Sequence, residues 1–333
     1  MSLITTLIPA YKSAHLGELF LGLKTQTMRD FRVILSDDSP GGEITDRIRR
    51  GVYDPLIDTL DLLVVQGPRR GAFPNIRHLL RQLSGQDTLV HLLMDDDVIY
   101  PDFYRMHAMT HASAALGATV SQRWLAGAEG RPIAQLPLPE AIEQQSQRIV
   151  AVDGRALVDT TIAFCRNWLG EFSNAVLARP AVERLQRATL GGLSYYGLAD
   201  IGVMIDVSAE RPIGFIHDHL GLFRSHPAQS TAARTSHGLQ CGFLAWAALA
   251  LGARRAGRLA DAAVRLTLQR VVTLTRETYA DVPAFRDCFV MIERHASDLD
   301  AMHAAFAPFW HRLLQSDPDS RQDPVAPAEP VAA

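Results

Sequence analysis

The chain has 333 residues, 47% hydrophobic and 21% charged, with a formal net charge of −3, which leaves room for one large domain or two small ones around a substantial core. No long basic block occurs, so nucleic acid is not an expected partner. Cys165, Cys241 and Cys288 are odd in number, far apart and in no CxxC arrangement, which argues against a disulfide framework or a zinc site and fits a reducing cytoplasm.

The N-terminus runs directly into a strand-like segment and shows none of the features of a secretory leader. Short β-rich runs follow one another at residues 3–8, 31–36, 60–65, 88–94 and 119–124. Between them lie segments of helical periodicity, with apolar faces at Leu16, Leu19, Phe20 and Leu23, at Ile76, Leu79, Leu80 and Leu83, and at Phe103, Met106 and His107. This βαβ rhythm, with strands apolar along their whole length, predicts an α/β fold with a mostly parallel, Rossmann-like central sheet flanked by helices.

In such a sheet the ligand crevice lies beyond the carboxyl ends of the strands. Tyr11 and Lys12, Asp37 and Asp38, residues 66–71, and Asp95, Asp96 and Asp97 stand at those four places. Three adjacent carboxylates repel one another, and a hard divalent cation shared with a phosphate relieves the repulsion. The expectation is metal-assisted nucleotide chemistry. Pro9, Ala10, Tyr11 and Lys12 occupy the turn where a dinucleotide-binding GxGxxG would stand, and no GxxxxGK[ST] loop occurs, so hydride transfer and P-loop chemistry lose support.

The segments LIPAYK (residues 7–12), ILSDDS (34–39), GAFPNIRHLL (71–80) and LLMDDDVIYPDF (92–103), followed by NWLGEFSNAVLARPAV (167–182), LADIG (198–202) and LFRSHPAQST (222–231), resemble in order the motifs of family 2 glycosyltransferases. The resemblance implies the GT-A fold over residues 1–232, with a donor half at 1–125 and an acceptor half at 126–232. It implies an inverting transfer of a sugar from a nucleotide-sugar donor to a glycan, lipid-linked or protein acceptor. Pro9, Tyr11, Asp37, Asn75 and Arg224 would line the donor site, Asp38 would hold the base and Asp95 the ribose. Asp96, with Asp97 and His226, would ligate Mg²⁺ or Mn²⁺. The family's Asp-x-Asp spelling would begin at Met94, so which aspartate makes each contact stays open.

Asp200 would be the general base, 26 residues before His226, although Ala199 stands where the family has Glu. Its other reading is a helix cap, and Asp206 is the fallback base. Several further residues have two readings each. Arg69 and Arg70 meet phosphates or solvent, Asn75 caps a helix or binds donor, and Trp168 stacks on a sugar or packs in the core. Of His217, His219 and His226, two are expected to be structural.

From residue 237 to 314 the chain is rich in Ala, Leu and Arg with helical periodicity, predicting a helical C-terminal extension over 233–315 and a disordered tail at 316–333. The apolar run 241–253 is too short to span a bilayer and reads as a buried helix. The extension could dock on the catalytic domain, support a homodimer, or rest peripherally on the inner face of a membrane, with Arg254, Arg255, Arg258, Arg265 and Arg270 as a positive or merely solvated face. Two other functions stay open. A sugar nucleotidyltransferase would carry a glycine-rich, lysine-containing loop that IPAYKSAH matches poorly, and a non-catalytic glycan-binding or scaffold protein is kept in view by Met94 and Ala199.

Overall fold

The computed structural model describes residues 3–225 and 233–316; His226 and residues 317–333 lie outside them. The five expected strands are present. In chain order the first half runs β1 (Ile4–Ala10), α1 (Leu16–Lys24), β2 (Phe31–Asp37), α2 (Glu43–Arg49), α3 (Asp54–Ile57), β3 (Leu62–Gln66), α4 (Ala72–Leu80), β4 (Leu89–Leu92), β5 (Val98–Ile99), α5 (Phe103–Ser113) and β6 (Ala118–Ala126). The second half runs β7 (Pro132–Gln135), α6 (Glu140–Glu143), β8 (Ile149–Val152), α7 (Gly154–Thr161), β9 (Ala175–Ala178), α8 (Arg179–Arg187), β10 (Thr189–Leu190), β11 (Leu193–Ser194), α9 (Ala199–Val207) and β12 (Ile213–Arg224).

Strands β3, β2, β1 and β4 pair in parallel, in that order. The regular succession then breaks. Antiparallel β9 is inserted between β4 and β6, and β12 lies parallel to β6 beyond it. Every residue of β9 is buried, and at four residues it is too short for periodicity to announce it.

The sheet is covered on both faces. On one side α1 and α5 bury Leu16, Leu19, Phe20, Leu23, Phe103 and Tyr104 against Ile4, Ile8 and Leu35. On the other, Leu7, Val90, Ile76 and Leu79 open a core that continues without interruption through α8 and α9 into the C-terminal helices. These are α10 (His237–Arg255), α11 (Asp261–Tyr279), α12 (Pro283–Arg294) and α13 (Leu299–Gln315). The apolar run in α10 is buried from Leu244 to Ala253, as its length suggested.

The arginines offered as a positive or solvated face are largely tied up within the molecule. Arg254 pairs with Asp261 and Asp300, and Arg258 donates to the Ile205 carbonyl and the Ser208 hydroxyl. Arg265 donates to the Ala296 carbonyl and Arg270 to that of Ala163. No helix among the described residues is long and apolar enough to cross a membrane.

Candidate active site

Strand ends bring the acidic residues to one edge, and hydrogen bonds decide what each carboxylate does there. Asp37, at the end of β2, is fully buried. It accepts from the amide and hydroxyl of both Ser39 and Thr45, at 2.5–3.0 Å. Burial alone would raise its pKa, but these four donors together hold it below the usual carboxylate range. Asp37 therefore fixes the start of α2. Asp38, 3% exposed, accepts from the backbone amides of Arg69 and Gly71. Burial outweighs those amides and raises its pKa. Each of its oxygens takes one amide of the 69–71 loop, so Asp38 shapes that loop.

Asp95 Oδ2 accepts from the Tyr11 and Lys12 amides, each at 2.7 Å, and so ties the end of β1 to the end of β4. Burial outweighs those two bonds and raises its pKa. Pro9 is enclosed within β1 and the Tyr11 side chain is exposed. Asn75 lies in the first turn of α4, where Gly71 is the cap, so Asn75 is not one. Its amide reaches the Ser36 carbonyl at 3.4 Å while its own side-chain oxygen is buried without a partner.

Arg224 departs most from expectation. Its side chain is fully buried, with Nε donating to the Asp96 carbonyl at 3.0 Å, Nη1 to the Ala128 carbonyl at 2.8 Å and Nη2 to the Glu18 carboxylate at 2.6 Å. Its backbone amide donates to Asp97 Oδ1 at 3.1 Å. A guanidinium enclosed in this way braces the acidic turn from behind instead of meeting phosphates in the crevice. Asp97 itself is 1% exposed and its Oδ2 is buried without a hydrogen-bond partner. Burial first, and the charge of Asp96 second, push its pKa well above the carboxylate range.

An orphaned carboxylate oxygen beside the half-buried Asp96 offers oxygen ligands of the kind a hard cation takes. No group of three His, Cys, Asp or Glu side chains able to hold a metal forms among the described residues. Two carboxylates nevertheless fit Mg²⁺ or Mn²⁺, which commonly takes its remaining ligands from phosphates and water.

The segment 167–174 lies against the acidic turn, its Ser173 hydroxyl accepting from the Met94 amide. Gly197, at φ +88°, turns the chain into α9, whose cap is Leu198. Asp200 is thus inside the first turn, near the positive end of the helix, and not the cap. Its Oδ1 accepts from the Ile201 amide at 2.8 Å and its Oδ2 from Asn167 Nδ2 at 3.2 Å. Burial, then the negative charge of Glu171, push its pKa up to about 7.

Glu171 was not singled out from the sequence. It pairs at 2.5 Å with Arg123, a buried charge in β6; an arginine inside an apolar strand was the available signal. Trp168 is 1% exposed, donates to the Thr160 hydroxyl and meets Phe215 edge-on, so it is a core residue and no sugar platform. Asp206 is committed to Arg184 at 2.5 Å.

No protein-family model and no curated relative matches the chain. Solved structures match its fold. S. aureus TarS 1–349 in complex with UDP-GlcNAc is 16% identical with a TM-score of 0.58, over 94% of this chain and 90% of that one; the UDP complex gives 15% and 0.55 over the same shares. The mannosyltransferase PcManGT from Pyrobaculum calidifontis, in complex with GDP-Man and Mn²⁺, is 15% identical with a TM-score of 0.52, over 95% of this chain and 88% of that one. The chain has a GT-A-type fold.

Proposed function

We propose that this GT-A chain is an inverting glycosyltransferase that moves a sugar from a nucleoside-diphosphate sugar to the hydroxyl of a glycan or lipid-linked acceptor, with a divalent cation at the acidic turn. The observation that carries this reading is the pairing of a braced acidic turn, with an unsatisfied oxygen on Asp97, and a carboxylate of near-neutral pKa, Asp200, both close enough to Glu171 to feel its charge. Structures of the same fold that hold UDP, UDP-GlcNAc or GDP-Man with Mn²⁺ support it.

Asp96 and Asp97 would hold the cation, with His226 as a further ligand. When bound, it supplies charge neutralisation for the departing diphosphate. Asp95 and the amides it fixes at Tyr11 and Lys12 would keep the donor oriented. Asp200 removes the proton of the acceptor hydroxyl as that oxygen bonds to the anomeric carbon. The bond from that carbon to the diphosphate oxygen breaks with its electron pair leaving on the nucleotide. Attack opposite the leaving group inverts the configuration, and general-base assistance of this kind contributes about 10² to 10⁴ in rate.

The test is a panel of sugar nucleotides assayed for binding and slow hydrolysis with and without Mn²⁺. Asp96→Ala should lose the metal-dependent part of binding. Asp200→Ala should bind like wild type and lose turnover. Equal binding by wild type and Asp96→Ala, whatever the metal, removes the metal assignment. Wild-type binding with no hydrolysis or transfer to any acceptor favours a glycan-binding or scaffold role.

A further inference from the structure

Two loops must be held at a fixed separation for the proposed transfer, and one short stretch of chain touches both. At its C-terminal end, the Ser173 hydroxyl accepts from the Met94 amide at 3.1 Å, one residue before the acidic turn. The Ser173 carbonyl meets His91 Nε2 at 3.1 Å. A carbonyl can only accept, so Nε2 carries the proton and Nδ1 is the bare nitrogen that accepts from the Tyr104 hydroxyl at 3.2 Å. The Tyr104 oxygen in turn lies 2.5 Å from the Thr6 hydroxyl. His91 is fully buried, and burial holds its pKa down at about 3, so the imidazole stays neutral and the chain of bonds keeps one sense.

At the other end, Asn167 Nδ2 donates to the Gly170 carbonyl at 2.8 Å and to Asp200 Oδ2 at 3.2 Å, while its oxygen accepts from the Gly170 amide at 3.0 Å. Asn174, the residue after Ser173, sends its Nδ2 back to the Leu169 carbonyl in the middle of the stretch at 2.9 Å and across to the Ser121 carbonyl at 2.6 Å. Gly170 sits at φ +109°, where a Cβ would collide with the Arg123 guanidinium and lie 2.6 Å from Asn174 Oδ1. The stretch is therefore pinned at both ends and in the middle.

We propose that residues 167–174 form a bracket that sets the distance from the acidic turn to Asp200, with Ser173 and Asn167 as its two positioning residues. The inference rests on the glycosyl-transfer reading. A displacement of about 1 Å between reacting groups can cost roughly 100-fold in rate, and loosening the partners behind a metal ligand typically costs about 10- to 100-fold in metal affinity. The two ends of the bracket should thus fail in different ways. Asn167→Ala should lower kcat by about 10- to 100-fold and leave Mn²⁺-dependent donor affinity as it is. Ser173→Ala should weaken that affinity by about 10-fold or more, and Ser173→Thr, which keeps the hydroxyl, should restore it. Gly170→Ala should damage both.

Donor binding followed by calorimetry, with kcat and KM measured separately and circular dichroism as a check on folding, reads all of this. Folded Asn167→Ala and Ser173→Ala proteins that match wild type, or that lose kcat and affinity in the same proportion, overturn the bracket. If Gly170→Ala does not fold, the two truncations and the threonine rescue decide alone. Wild type that shows no metal-dependent donor binding removes the functional reading itself, a result distinct from either.

Discussion

At the scale of single residues, the proposed chemistry turns on Asp200. It lies half-buried beside Glu171, and burial and that neighbour's charge lift its pKa to about 7. A base works only when deprotonated, so activity should be full above pH 7 and fall as pH drops through about 7, where an ordinary aspartate would hold it down to about 4. Glu171→Gln removes the negative neighbour and should move this limb of the kcat profile to lower pH; a limb that stays in place removes Glu171 from the site's electrostatics. Asp95, Asp96 and Asp97 stood out in the sequence as candidates because three like charges after an apolar run are costly without a cation. Glu171 was not, since its meaning depends on Arg123, 48 positions earlier. Arg224 was assigned to the ligand, and Trp168 left between a sugar and the core, because a basic or aromatic residue in a sequence motif does not reveal which way it faces. Their full burial shows that each supports the crevice from within.

At the scale of elements, the strands β1 to β4 and the helices α1, α4 and α5 were legible because long apolar runs and helical periodicity are local signals. The insertion of β9 between β4 and β6, and the seating of α10, depend on surfaces that meet only in three dimensions. That seating is close. Gly252 in α10 and Gly191 in the β10–β11 hairpin pack backbone to backbone, and a Cβ on Gly252 would collide with the Leu190 carbonyl. Gly252→Ala would gain about 1 kcal/mol of helix propensity. It would also force a backbone shift between two packed elements, an overpacking cost of about 1–3 kcal/mol or more. Since a carbonyl cannot swing aside like a flexible side chain, the net change should be destabilising. Gly17 in α1 has nothing within 4 Å of its Cβ position, and Gly17→Ala should stabilise by about 0.5–1 kcal/mol. Urea midpoints of the two variants should move in opposite directions. A Gly252→Ala protein at or above the wild-type midpoint removes the close-packing account.

At the scale of the whole molecule, the C-terminal helices are bound into the same core as the sheet. Leu190, Tyr195, Ile201 and Val203 share one apolar cluster with Leu244, Leu249, Phe306 and Trp310. The Trp310 indole donates to the Ser194 carbonyl at 2.8 Å, and Arg258 in the loop between α10 and α11 reaches back to α9 and its cap. An appendage with its own core would unfold by itself; one that completes its neighbour's core cannot. The four tryptophans divide evenly as reporters, with Trp124 and Trp168 before residue 232 and Trp246 and Trp310 after it. Fluorotryptophan labelling followed by ¹⁹F NMR through a urea titration should give all four resonances one common midpoint. Earlier loss of the Trp246 and Trp310 signals would show that the helices are a separable domain. A shared transition makes the helical layer part of what holds α9, and with it Asp200, against the sheet, so that changes in the extension far from the crevice should act on catalysis through stability.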